Sequence, residues 1–351
     1  MHLLNIELRH GKILSSRSAL VWRLAQLVVW LLGTALFLTL LIFPETGALL
    51  FWNVLIPVAP LLFVVALGSW RNTCPLAAVT LLPRHFGLSR QKKPTPSQAG
   101  FFSLLSVLAF YLIVPLRHPL FNLHGHATAM LLLALAAIGM GLGFVFEWKS
   151  AWCSGLCPIH PVEKLYGGQP FVSVPNTHCR SCMNCVIPCP DSTPSMNPLL
   201  ARNNRLQNIS GLLIAGGLPG FIWGWFQVPD RYGNATILNV ANAYSLPLAG
   251  LLLSLAVFLF LKHILGKSNQ GVLINGFAAA SVTCYYWYRL PALIGFGVFP
   301  DDGALFHLAG IVPDWSVPVL RTAVVAFFSY WFMIRRSVGK SWTLRPAFDK
   351  K

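Results

Sequence analysis

Charge is scarce in this chain, and negative charge is scarcest: of 351 residues only 10 are Asp or Glu, against 26 Lys and Arg. Soluble domains carry about a quarter of their residues charged, whereas here the share is 10%. That excludes a single water-soluble core. Polar stretches are equally rare, and residues 147–208 form the one long polar interruption. No C-x-x-C-H occurs, so a covalently attached haem is not indicated. The basic N-terminal flank resembles a signal peptide, but Pro44-Glu45-Thr46-Gly47 offers no small-residue cleavage site, and the first apolar stretch is expected to be a retained helix.

What fills the chain instead is apolar, with 55% hydrophobic residues and a mean hydropathy of +0.62. Stretches of roughly 20 apolar residues cross a hydrocarbon layer of about 30 Å as helices. They are expected at 20–43, 49–69, 100–116, 127–146, 209–228, 246–263, 271–288 and 317–334. The seventh runs on through Arg289 and Pro291, where a tilt, a kink or a half-helix is expected. The expected fold is therefore an all-α polytopic membrane protein of about eight transmembrane helices with a small ferredoxin-like insertion. Its parts are an N-terminal four-helix membrane region (1–146), an extramembrane segment (147–208) and a C-terminal four-helix membrane region (209–351).

Lysine and arginine take sides. Arg9, Lys12, Arg17, Arg71, Arg84, Arg90, Lys92, Lys93, Lys149, Lys164, Lys262, Lys267, Arg335 and Arg336 share one face of an eight-span arrangement. The opposite loops hold Arg117 and Arg231 but collect Glu45, Asp230, Asp301, Asp302 and Asp314. The positive-inside rule then places both termini and the polar segment in the cytoplasm, with the protein in a bacterial inner membrane. A net charge of +16 distributed in short loops beside apolar spans fits anionic lipid headgroups rather than nucleic acid.

The polar segment holds Cys179-Arg-Ser-Cys182-Met-Asn-Cys185-Val-Ile-Pro-Cys189-Pro190, a C-x2-C-x2-C-x3-C-P run of the kind that wraps a [4Fe-4S] cluster. Turn signals at Gly167-Gly168-Gln169-Pro170 and Asp191-Ser192-Thr193-Pro194 flank it, leaving room for a short fold templated by the metal. Zinc sites also use C-x2-C pairs, yet overlapping triplets followed by x3-C-P are atypical of zinc. Reduced thiols on a cytoplasmic face disfavour disulfides.

Three thiolates at this spacing serve one cubane, while the fourth Cys of such a run normally points to another cluster. Two completions of the cubane are open. Cys157 of Cys153-x3-Cys157-Pro158 is a remote fourth ligand for Cys179, Cys182 and Cys185, or Cys189 closes the cluster locally and leaves Cys153 and Cys157 for thiol chemistry or another metal. One cluster is expected; a second would need Cys153, Cys189 and Cys74. Cys74-Pro75 after the second span echoes Cys157-Pro158 after the fourth, as if two hairpins repeat. Cys284 has the plain reading of a small buried hydrophobe. His160 and His178 stand close enough in sequence to tune a cluster by hydrogen bonding to sulfur.

Other candidates lie in or beside the bilayer. Arg23 and Arg321 sit near span edges, where snorkelling explains them, but Arg289 beside Tyr285-Tyr286-Trp287-Tyr288 belongs either to an interfacial aromatic belt or to a quinone-pocket wall. His124 and His126 are interfacial polar residues, or a pair that binds haem or metal or relays quinol protons.

At Trp152-Cys153-Ser154-Gly155-Leu156-Cys157-Pro158, followed by the cysteine run, the chain resembles the membrane-bound polyferredoxins, which include NapH-like and NosR-like proteins. The resemblance covers roughly 70–191 and rests on the two cysteine elements. It implies that Cys153, Cys157, Cys179, Cys182, Cys185 and Cys189 ligate clusters and that electrons pass between membrane quinol, or a cytoplasmic donor, and a partner redox protein. This chain departs from that group in having one complete run and extra helices after Asn208. The function expected is that of an electron-transfer subunit in a larger complex, not a stand-alone enzyme, since no catalytic triad is evident. A redox maturation factor and a transporter or anchor with a sensing cluster are the alternatives; few mid-membrane charges weaken the transporter.

Overall fold

The computed structural model describes residues 10–11, 15–147, 149–168, 170–171, 204–230, 236–266, 268–299, 302–335 and 345–346. Apart from a two-residue pairing of His10–Gly11 with Arg345–Pro346, the described residues are helices and their connections. In chain order the helices are α1 (Ser16–Ile42), α2 (Pro44–Leu49), α3 (Ile56–Thr73), α4 (Pro75–His85), α5 (Pro96–Ile113), α6 (Gly125–Val145), α7 (His160–Tyr166), α8 (Arg205–Trp225), α9 (Ile237–Leu265), α10 (Gln270–Leu293) and α11 (Ser316–Ser329). Leu50–Leu55, Lys149–Leu156 and Tyr330–Ile334 are π-helical turns.

A helix lies at each of the eight expected spans, and six are long and apolar enough to cross a membrane: Ser16–Ile42, Pro44–His85, Pro96–Arg117, Gly125–Val145, Ile237–Leu265 and Ser316–Ile334. The protein is a multi-pass membrane protein by that measure. The other two, α8 and α10, contain 21 and 24 residues, and at 1.5 Å per residue each is long enough to span. Both are packed inside the bundle and are less apolar than the outer helices. Leu20, Leu24, Leu31, Leu252, Leu253 and Phe260 on α1 and α9 are more than half exposed, as expected where lipid rather than protein is the neighbour.

The second span differs from the simple helix expected at 49–69. It is a stack of α2, a π turn, α3 and α4. Pro57 and Pro60 lie in α3, and the Tyr286 hydroxyl from α10 is inserted into the helical ladder there: it accepts from Leu61 N at 2.8 Å and donates to the Pro57 carbonyl at 2.6 Å. One side chain thus bridges a donor and an acceptor that a regular helix would pair directly. Tyr286→Phe leaves both buried groups without that bridge, and a loss of about 1–3 kcal/mol in unfolding free energy is expected in detergent. Unchanged stability would show that the ladder closes by itself. Further along, Ala66 is non-helical at φ −146° and ψ 54°, and the Val65 carbonyl accepts from Phe171 N at 2.7 Å.

The tightest packing joins α8 to α9. Gly216, Gly220 and Gly224 form one face of α8, and a Cβ on Gly220 would collide with the Gly250 carbonyl of α9, just as one on Gly250 would meet the Gly220 carbonyl. Small residues four apart let the two backbones touch. The central core then gathers Phe63, Leu67, Tyr111, Leu218, Phe221 and Val282 from α3, α5, α8 and α10.

Candidate functional site

Cys74, Cys153 and Cys157 come together at one end of the bundle. Cys74 ends α3 and serves as the N-cap of α4, with Pro75 as the first residue of that helix, where a missing N–H costs nothing. Cys153 lies in the Lys149–Leu156 π turn and packs with Cys74 against Ala77 and Leu81 of α4. Cys157 follows the turn, and its backbone is fixed on three sides. Its N–H donates to Trp152 O at 2.9 Å, while its carbonyl accepts from Ser106 Oγ at 2.6 Å and from His160 N at 3.1 Å. Among the described residues no disulfide joins Cys74, Cys153, Cys157 or Cys284, and Cys284 packs against the main core as a small apolar residue.

Two buried ion pairs bracket the Cys153–Cys157 element. Before it, Glu147 at the end of α6 pairs with Arg84 of α4. After it, Glu163 of α7 takes Arg71 of α3 in a two-pronged grip, Nε to Oε1 at 2.6 Å and Nη2 to Oε2 at 3.1 Å, and Arg71 Nη2 also meets His160 Nδ1 at 3.0 Å. Arg71 and Arg84 are thus not merely loop charges on the basic face. Each ties the first cysteine-bearing hairpin to the second.

Burial by itself raises the Glu163 carboxyl, but Arg71 and the His160 hydrogen bond outweigh it and hold the group at about 2, against an ordinary value of 4.5. Burial takes the His160 imidazole from 6.5 down to about 4, against the pull of Glu163. In both cases the unfolded chain binds a proton that the folded one refuses, so the contribution to stability is complete at neutral pH and is lost on acidification. The window runs from 6.5 to about 4 through His160, then from 4.5 to about 2 through Glu163. Thermal midpoints measured across this range should fall in that order; a flat profile would contradict the arrangement.

Cys179, Cys182, Cys185, Cys189 and His178 lie outside the described residues. The described residues on either side of them are anchored: Phe171 N donates to the Val65 carbonyl, and Asn204 donates to the Pro96 carbonyl at the start of α5 and caps α8. Among the described residues no three His, Cys, Asp or Glu side chains close into a metal-holding group. Burial, with Cys153 and Cys74 adding to it, pushes the Cys157 thiol well up.

No protein family, curated protein or solved structure matches the chain.

At the opposite end, His124 precedes α6 and His126 lies in its first turn, where His126 Nε2 contacts the Leu41 carbonyl at 3.1 Å; both are exposed. Arg289 is 3% exposed and far from them in role: it donates to Trp52 O at 3.2 Å and Asn53 Oδ1 at 2.6 Å. Arg117, expected as a loop charge, is instead buried between the rings of Trp52 and Trp225, at 4.4 and 4.8 Å from their centroids. The Trp52 carbonyl, in the π turn, accepts from both arginines. Arg321 lies over Trp287, as an interfacial arginine does. Within Tyr285–Tyr288, Tyr286 bridges α3 and Tyr285 faces a cavity.

That cavity, about 130 Å³, runs from Ile159 and Tyr166 beside the cysteines, past Phe63, Phe110 and Phe221, to Arg117 at the far end. Its wall is almost wholly apolar. The Tyr285 hydroxyl and the Arg289 Nε are buried without a hydrogen-bond partner, and such donors call for an acceptor. The sequence singled out Arg289 and Tyr285 but missed Arg117 and the cavity, because nothing local marks which helices will enclose a space.

Proposed function

We propose that the protein is a membrane-embedded iron–sulfur electron-transfer protein, one subunit of a redox chain. The observation that carries the reading is that Cys74, Cys153 and Cys157 lie near one another at one end of the bundle, while the Cys179-x2-Cys182-x2-Cys185-x3-Cys189 run falls in sequence between the anchored Phe171 and Asn204. Cys157, already fixed by Ser106 and Trp152, completes a [4Fe-4S] cluster with Cys179, Cys182 and Cys185. A cluster so placed takes up and passes on single electrons. Cys153, Cys189 and Cys74 are the thiols left for a second.

In this reading α8 and α10 also span the membrane, giving eight helices, and the basic cysteine face and both termini are cytoplasmic in a bacterial inner membrane. The cavity points to membrane quinol as the donor or quinone as the acceptor: its aromatic wall suits part of a quinone ring, and the Tyr285 hydroxyl, buried without a partner, offers a hydrogen bond to its oxygen. A soluble cytoplasmic donor is the other route to the cluster. The redox maturation alternative is disfavoured by Cys157, since a thiol pushed up by burial is a poor nucleophile.

The test is iron and acid-labile sulfide in the full-length protein purified anaerobically, followed by reduction with a quinol analogue or reduced ferredoxin. About four irons per chain and a reducible paramagnetic centre are expected. About eight would bring in the second set of thiols, and none would overturn the reading.

A further inference from the structure

A second buried polar group lies at the end of the bundle opposite the cysteines. His118 follows the short 3-10 turn Pro115–Arg117, is 3% exposed, and stacks on the Trp225 indole at 4.5 Å between centroids. Both of its ring nitrogens meet oxygen. Nε2 is 3.1 Å from the Trp225 carbonyl, and Nδ1 is 2.7 Å from Asp230 Oδ1. A carbonyl oxygen only accepts, so the Trp225 contact places a hydrogen on Nε2. The Nδ1 to Oδ1 contact then needs a second hydrogen, from an imidazolium or from a protonated carboxyl.

The surroundings choose between these. Asn122 Nδ2 lies 2.9 Å from each Asp230 oxygen and donates to the carboxyl, as suits an ionised carboxylate. The stacked indole also favours a cationic ring. The other charged groups here are Arg117, over the same indole; Asp302, whose Oδ2 accepts from Asp230 N at 2.7 Å; and Arg289, which acts on Arg117 electrostatically, as does the Tyr285 phenol beside them.

We infer that His118 and Asp230 form a proton-holding site, an imidazolium gripped by a carboxylate, at the end of the bundle opposite the cysteines. The site holds one proton more than a neutral histidine beside an ionised aspartate. Giving it up turns a ring lone pair toward Asp230 Oδ1 or toward the Trp225 carbonyl, so unloading requires the ring to move. Trp225 is also a wall of the cavity, and proton occupancy is thereby linked to the cavity's outer end. The inference stands on hydrogen bonds and is independent of the iron–sulfur reading.

The test is solid-state NMR on the full chain in lipid nanodiscs at pH 7, with ¹⁵N-histidine and ¹³C-carbonyl tryptophan labels. Transfer from the Trp225 carbonyl identifies the His118 ring without any substitution. The expected result is that both His118 nitrogens carry hydrogen, and that Asp230→Asn converts the ring to a singly protonated form. A protonated Asp230 carboxyl hydrogen-bonded to a neutral ring, seen by its infrared C=O band, would overturn the imidazolium assignment. A neutral ring with hydrogen on Nδ1 only, beside an ionised Asp230, would overturn the inference.

Discussion

Replacing Glu163 by leucine is expected to lower the unfolding free energy by about 3–5 kcal/mol, because it strips a buried arginine of its carboxylate. Arg71 and Glu163 are 8% and 6% exposed, so water does little to compensate. The pair spans α3 and α7, and its loss should loosen the backbone around Cys157 as well as the helix contact. Removing both charges, as Arg71→Leu with Glu163→Leu, should recover most of the loss, since the desolvation cost of the arginine goes with its partner. The measurement is denaturant or thermal unfolding in detergent for the two single variants and the double. A loss under about 1 kcal/mol in the Glu163 variant would place the pair among ordinary surface salt bridges.

Gly220→Leu is expected to be of similar severity, by a different mechanism. Gly220 and Gly250 face each other across α8 and α9 with each backbone carbonyl where the other's side chain would go. Backbone cannot step aside as a flexible side chain can, so the helices must separate, at a cost at or above the upper end of about 1–3 kcal/mol for overpacked sites. Gly271→Leu, where a Cβ meets open space, is the control and should change little. Equal stability of the two variants would show that the close approach of α8 and α9 is not needed.

Helix positions were legible in the sequence because apolar runs of membrane length leave few alternatives. The internal make-up of the second span was not. Its π turn and the break at Ala66 depend on Arg289, Tyr286 and Phe171, which lie more than a hundred residues away and become partners only after folding. The Gly216, Gly220 and Gly224 spacing was a local signal of helix contact, present in the sequence and unused. At the cysteine end, Cys74 of the first Cys-Pro element packs beside Cys153 of the second cysteine element. Arg71 and Arg84, loop charges by their place in the sequence, are instead buried against Glu163 and Glu147, the acids that flank the second cysteine element. At the other end the sequence marks the pair His124 and His126, whereas His118 beside Arg117 is the histidine enclosed by the fold.

The central claim is that Cys157 completes a cluster begun by Cys179, Cys182 and Cys185. The most direct measurement is the cluster content, as iron and acid-labile sulfide, of anaerobically purified Cys157→Ala beside Cys189→Ala. The account predicts that the Cys157 variant loses the cubane while the Cys189 variant keeps it. A cubane retained in Cys157→Ala and lost in Cys189→Ala would contradict it.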